Sequence, residues 1–149
     1  MAALKRGRQL IELLIGPVLE CSSIYETAAW GNEDQEAYLN QVLRLKTRLG
    51  PFVLLQQLLD IERRLGRRRD PNTRWQPRTL DLDILFYGDA VIDMPGLQVP
   101  HPAMHERLFV LRPLAELQAD RRHPKSGQSV QSMLDSCQDP LEVSIFASR

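Results

Sequence analysis

The chain has 149 residues, 43% of them hydrophobic and 26% charged, with a formal net charge of zero, which is the profile of one soluble globular domain able to bury a core. That balance argues against disorder and membrane spanning, and it makes the arginine cluster a local device rather than part of a generally basic, nucleic-acid-binding surface. Its two cysteines, Cys21 and Cys137, have neither CxxC nor metal-ligand spacing and are expected to be reduced thiols of a cytoplasmic protein.

From Ala2 to Ile15 the apolar positions Leu4, Leu10, Ile11, Leu13 and Leu14 predict a helix that stops at Gly16-Pro17. Met1 to Gly16 lacks the order of a signal peptide, a basic start followed by an apolar centre and small residues. Val18 to Thr27 reads as a strand, Ala28 to Glu36 as a loop broken by Gly31 and Asn32, and Ala37 to Leu49 as a second, alternating strand. The two strands form an antiparallel pair across a loop long enough to be functional. Gly50-Pro51 opens a second helix whose face is Leu54, Leu55, Leu58, Leu59, Ile61 and Leu65, ended by Gly66.

RRRDPNT, residues 67 to 73, is too polar and too broken for regular structure and reads as a mobile loop. Leu80 to Tyr87 is a strand, turning at Gly88-Asp89 to return as Ala90 to Ile92. In Val99-Pro100-His101-Pro102 the flanking prolines hold the imidazole on an extended run. Met104 to Leu117 is helical, and the tail from Pro124, with a short helix near Val130 to Leu134, is structural.

One stretch carries chemistry. In Leu80-Asp81-Leu82-Asp83-Ile84 the two carboxylates fall on one face of the strand, roughly 6 to 7 Å apart at Cα. Strands avoid Asp, so something compensates the pair. Either Mg²⁺ holds both carboxylates against phosphate oxygens, or that face is simply wet. Between Glu62 and Arg78 the chain carries Arg63, Arg64, Arg67, Arg68, Arg69, Arg74 and Arg78 against only Glu62 and Asp70. Guanidinium groups leading into metal-type carboxylates have the make-up of a polyphosphate clamp. For Arg63 and Arg64 a solvated helix end that complements the macrodipole is the preferred reading.

The run RWQPRTLDLDIL resembles the signature of the 6-hydroxymethyl-7,8-dihydropterin pyrophosphokinase family, in which W-G-P-R-T precedes two alternating Asp. Gln76 stands where the family has Gly, while Arg78, Asp81 and Asp83 match. The resemblance covers nearly the whole chain except the family's first strand, which ends in a Gly-Ser-Asn type turn and has no counterpart here; the expectation is that the sequence begins late.

The family implies a ferredoxin-like plait, an α+β fold with an antiparallel sheet and a C-terminal extension, formed as a single domain over residues 1–149 and acting as a monomer. It implies transfer of pyrophosphate from ATP to the pterin alcohol with two Mg²⁺ ions on Asp81 and Asp83. Without a G-x-x-x-x-G-K-S/T run, ATP is held by other means than a P-loop. Arg67 and Arg69 match the G-R-x-R of the family's catalytic loop and act catalytically and on ATP with Arg78. Ile84, His101 and Arg107 complete the ATP contacts. Thr27, Ala28, Trp30, Tyr38, Asn40, Trp75 and Phe109 line the pterin site, with Tyr38 and Phe109 on its two faces. From residue type alone Tyr38 and Asn40 are packing and edge residues, Phe109 is core and His101 is surface. Pro102 and Gly96 stand where the family has an aromatic and a basic residue. Two other readings stay open: an RNA-binding plait that uses the Arg loop with Trp75 or Tyr38, and an inactive remnant of the family.

Overall fold

The structure, a computed structural model, describes residues 1–27, 37–66 and 80–147. Helices and short antiparallel ladders make it an α+β protein. The chain divides into two compact units, Met1–Leu19 with Leu45–Ile84 and Glu20–Arg44 with Leu85–Arg149.

The first unit contains α1 (Ala2–Leu14) and α2 (Pro51–Leu65), which pack through Ile11, Leu54, Leu58 and Ile61. Both helices lie where the apolar periodicity predicts them. Thr47 Oγ donates to the Ile15 carbonyl at 2.9 Å, satisfying one of the acceptors that the end of α1 leaves open. Arg63 and Arg64 are exposed on the last turn of α2, and Arg64 pairs with Asp60 at 2.9 Å, as expected of a solvated helix end.

The second unit is built around the sheet order β3-β2-β7, with β2 (Tyr25–Thr27) antiparallel to both β3 (Tyr38–Asn40) and β7 (Val143–Ile145). β5 (Ile92–Met94) and β6 (Leu97–Val99) form a hairpin across Pro95-Gly96, where Gly96 takes φ +83°, a left-handed value suited to glycine. A short 3-10 turn (Met104–Glu106) leads into α3 (Leu108–Gln118), and α4 (Val130–Asp135) packs on it. Met104, Leu111, Leu114, Val130 and Met133 are the core, with Val42, Leu85 and Phe86 against it.

Four strand expectations need correction. Val18 to Thr27 is not continuous: β1 (Val18–Cys21) and β2 are separate, and so are β3 and β4 (Leu43–Leu45). The two breaks face each other, because Ser22 Oγ accepts the Val42 N–H at 2.9 Å, Ser22 N–H donates to the Val42 carbonyl at 2.9 Å, and Gln41 donates to the Ser22 carbonyl at 2.8 Å. A buried serine thus takes the place of a rung.

Residues 80–87 belong to no ladder among the described residues. Their backbone is tied one group at a time, as Glu62 accepts from Leu82 and the Leu85 carbonyl accepts from the His101 N–H at 2.9 Å. The hairpin therefore lies at β5–β6 rather than across Gly88-Asp89. Finally, the tail supplies a strand, β7, where only a short helix was expected, although Leu141-Glu142-Val143-Ser144-Ile145 alternates apolar and polar residues as a strand does.

Candidate active site

In the first unit exposure alternates from Leu80 to Ile84: Asp81 and Asp83 are exposed, and Leu80, Leu82 and Ile84 are half-buried. Leu80 lies over Gly7 of α1, where a β-carbon would stand 2.6 Å from Leu80 Cδ2, so the small residue lets the run start flush on the helix. Two residues on, Glu62 of α2, only 7% exposed, accepts the Leu82 N–H at 2.7 Å. A carboxylate acceptor makes a short, charge-assisted bond. It fixes the peptide between the two aspartates.

Glu62 was not singled out as a site residue from the sequence. The available signal was its spacing, four residues after Leu58 and eight after Leu54, which puts a carboxylate in the apolar stripe of α2.

Among the described residues no group of three or more His, Cys, Asp or Glu side chains is placed to hold a metal. The donor set is a carboxylate pair, which does not suit a closed protein cage. It fits Mg²⁺, which takes one or two protein carboxylates and leaves its other positions to water and phosphate.

In the second unit Thr27 faces Tyr38 in the β2–β3 register, and Asn40 Nδ2 donates to Thr27 Oγ1 at 3.4 Å. Thr27 is buried, whereas the Tyr38 ring is largely open at 61% exposure. A ring left in solvent at a sheet edge is free to cover a flat ligand. Phe109 is half-buried in the first turn of α3, and the Arg107 guanidinium lies 5.8 Å from its ring centroid.

His101 follows the Val99–Pro100 peptide, which is cis, and its Nδ1 accepts the Ala103 N–H at 3.1 Å. In the neutral ring the proton is then on Nε2, so the imidazole presents a donor. It borders an open cavity of about 400 Å³ whose walls include Gln98, Pro102, His105, His123 and Lys125. His123 has its pKa lowered, chiefly by burial and then by His105 and Lys125. Its Nδ1 also accepts backbone N–H groups, from Lys125 at 3.2 Å and Ser126 at 3.1 Å.

Ala28, Trp30, Arg67, Arg69, Trp75 and Arg78 lie outside the described residues. The remaining site candidates fall in two groups. Asp81, Asp83 and Ile84 belong to the first unit, and Thr27, Tyr38, Asn40, His101, Arg107 and Phe109 to the second.

Fold and site define the class, an α+β protein with two exposed aspartates at alternate positions. The family model for 7,8-dihydro-6-hydroxymethylpterin-pyrophosphokinase (HPPK) matches residues 1–119. The chain belongs to this family. It is 53% identical over 100 residues to the 2-amino-4-hydroxy-6-hydroxymethyldihydropteridine pyrophosphokinase of Bacillus subtilis, which covers 67% of this chain and 59% of that protein. With the Synechocystis protein of the same name it shares 44% identity over 118 residues, 79% of this chain and 59% of that one. It is also 40% identical over 122 residues to the folic acid synthesis protein fol1 of Pneumocystis carinii, covering 82% of this chain and 16% of that one. Among the described residues no helix is long and apolar enough to cross a membrane.

Proposed function

We propose that this chain transfers the pyrophosphoryl group of ATP to 6-hydroxymethyl-7,8-dihydropterin, giving the pterin diphosphate and AMP, a step of folate biosynthesis. The observation that carries the reading is the family match over residues 1–119, which takes in the exposed Asp81–Asp83 pair. The chain spans only 59% of the Bacillus subtilis and Synechocystis proteins, so the activity of the whole is a proposal for this chain. The reading takes residues 1–149 as one pyrophosphokinase domain acting as a monomer, which sedimentation of the purified chain checks.

On this reading Thr27 and Asn40 meet the polar edge of the pterin, and Tyr38 and Phe109 cover its faces, with Ala28, Trp30 and Trp75 completing the pocket. A face-on aromatic contact rewards a flat heterocycle, and the polar groups fix its rotation. Asp81 and Asp83 would hold two magnesium ions, which supply charge neutralisation at the phosphates and acidify the attacking alcohol.

The hydroxymethyl oxygen attacks the β phosphorus in line, and AMP leaves. Positioning and charge stabilisation do most of the work in such a transfer, so a dedicated general base is not required. Arg67, Arg69 and Arg78 stabilise the charge that builds on the transferred group. His101 donates from Nε2 to a phosphate oxygen, Arg107 adds a second cationic contact, and Ile84 packs against the nucleotide. The open cavity beside His101 supports this reading by offering space next to the imidazole for part of the nucleotide.

The test is a coupled assay for AMP release from ATP with the hydroxymethyl-dihydropterin as acceptor. Turnover that needs both substrates and magnesium supports the reading. Salt-sensitive RNA binding without turnover overturns it in favour of an RNA-binding plait, and a folded chain with neither points to an inactive family member.

A further inference from the structure

α3 begins without a cap of its own. Arg107 occupies the N-cap position and its side chain makes no capping hydrogen bond; its carbonyl accepts the Val110 and Leu111 N–H groups, each at 3.1 Å, and the Leu108 N–H, ahead of them, needs an acceptor from outside the helix. The N–H of Leu108 is taken instead by Asp139 Oδ2 at 3.0 Å, from 31 residues further along the chain. The other oxygen, Oδ1, accepts the Leu141 N–H at 3.0 Å, so the carboxylate is held in a tight turn around Pro140.

The same segment is fastened twice more. Arg112 Nη1, one turn into α3, donates to the Val143 carbonyl at 2.9 Å. Val143 in turn is the register partner of Thr27 in β2.

We propose that Asp139, which lies beyond the matched residues 1–119, is a positioning residue that sets the Arg107–Phe109 turn relative to Thr27. Without the carboxylate the first turn of α3 frays, and Phe109 with its neighbouring guanidinium loses a single orientation. The Val143–Ile145 strand keeps the tail on β2, so the loss is confined to the helix start. The functional consequence rests on the pyrophosphokinase reading, in which Phe109 covers the pterin.

The experiment compares Asp139→Ala, Asp139→Asn and Ser129→Ala in the full chain. Ser129→Ala removes the cap of α4, whose Oγ accepts the Ser132 N–H at 3.1 Å, and serves as a loss of the same kind away from Phe109. Asp139→Ala is expected to raise the KM for the pterin about five- to tenfold with kcat nearly unchanged, the size that loss of one cap translates into. Asp139→Asn, which keeps a carbonyl acceptor, restores most of the affinity, and Ser129→Ala lowers the melting temperature but leaves KM alone.

Hydrogen exchange at residues 108–111 gives a readout independent of turnover. Faster exchange there in Asp139→Ala, with a wild type that releases no AMP, sinks the pyrophosphokinase reading and leaves the cap standing. Unchanged exchange overturns the cap whatever the activity. Faster exchange with an unchanged KM overturns the positioning role, as does an equal KM change in Ser129→Ala.

Discussion

The Asp81–Asp83 run and the Arg107–Phe109 turn lie in different units and are held by one device, a carboxylate distant in sequence that accepts a backbone N–H of the segment. Glu62 takes the Leu82 N–H at 2.7 Å, and Asp139 takes that of Leu108 at 3.0 Å. What differs is the carrier. Glu62 stands on a helix and is 7% exposed, whereas Asp139 sits in a half-exposed turn of the tail. Where water is excluded, losing the acceptor leaves a buried donor unsatisfied; where water reaches, it replaces much of the bond. The first anchor should therefore be rigid and costly to lose, the second adjustable.

The largest effect expected is at the segment that Glu62 holds. Asp81→Ala or Asp83→Ala should cut turnover by several powers of ten with pterin affinity kept, read from steady-state rates beside a pterin titration. An active double variant would falsify the metal role and leave Glu62 anchoring an inert run.

Next comes the anchor itself. Glu62→Ala should cost about 1 to 3 kcal/mol in urea unfolding, because the Leu82 N–H loses its acceptor, and should lower kcat as well. Glu62→Gln, which retains an acceptor oxygen, should recover most of the rate. If both variants melt and turn over like the parent, burial does not separate the two anchors.

Ser22→Ala sharpens the contrast inside the second unit. It removes the acceptor of the Val42 N–H from a buried site and should cost about 1 kcal/mol, measurable as a shift in the urea midpoint. A neutral change would mean that the paired strand breaks need no side chain.

The smallest effect is the response to pH. The pKa of His123 is lowered in the folded chain, so the unfolded chain binds its proton at higher pH. Stability is then full above about pH 6.5, the ordinary histidine value, and declines as pH falls below it. Urea midpoints between pH 8 and pH 5 should show this decline, and it should flatten in His123→Asn; a persistent slope assigns it to other groups.

Legibility in the sequence followed the range of the interaction. α1 and α2 were readable because Leu54, Leu58 and Ile61 repeat at helical spacing and the stop signals at Gly16 and Gly66 are local. The Asp81–Asp83 alternation was readable for the same reason. The strand breaks were not, since Ser22 and Val42 meet only after the chain has turned back on itself. The position of the hairpin is not legible locally because Gly88-Asp89 and Pro95-Gly96 are both good turn signals, and only the pairing of Ile92 with Val99 selects between them.

By itself the sequence determined which residues are chemically equipped: two aspartates at a strand spacing, an arginine-rich run before them, and a histidine between prolines. Periodicity and composition travel with the chain and need no partner to exist. The tertiary structure alone decided how the aspartate run and the start of α3 are held, through Glu62 under Leu82 and Asp139 under Leu108. A hydrogen bond spanning 20 or 31 residues depends on where two segments come to rest, and no local pattern of side chains encodes that meeting.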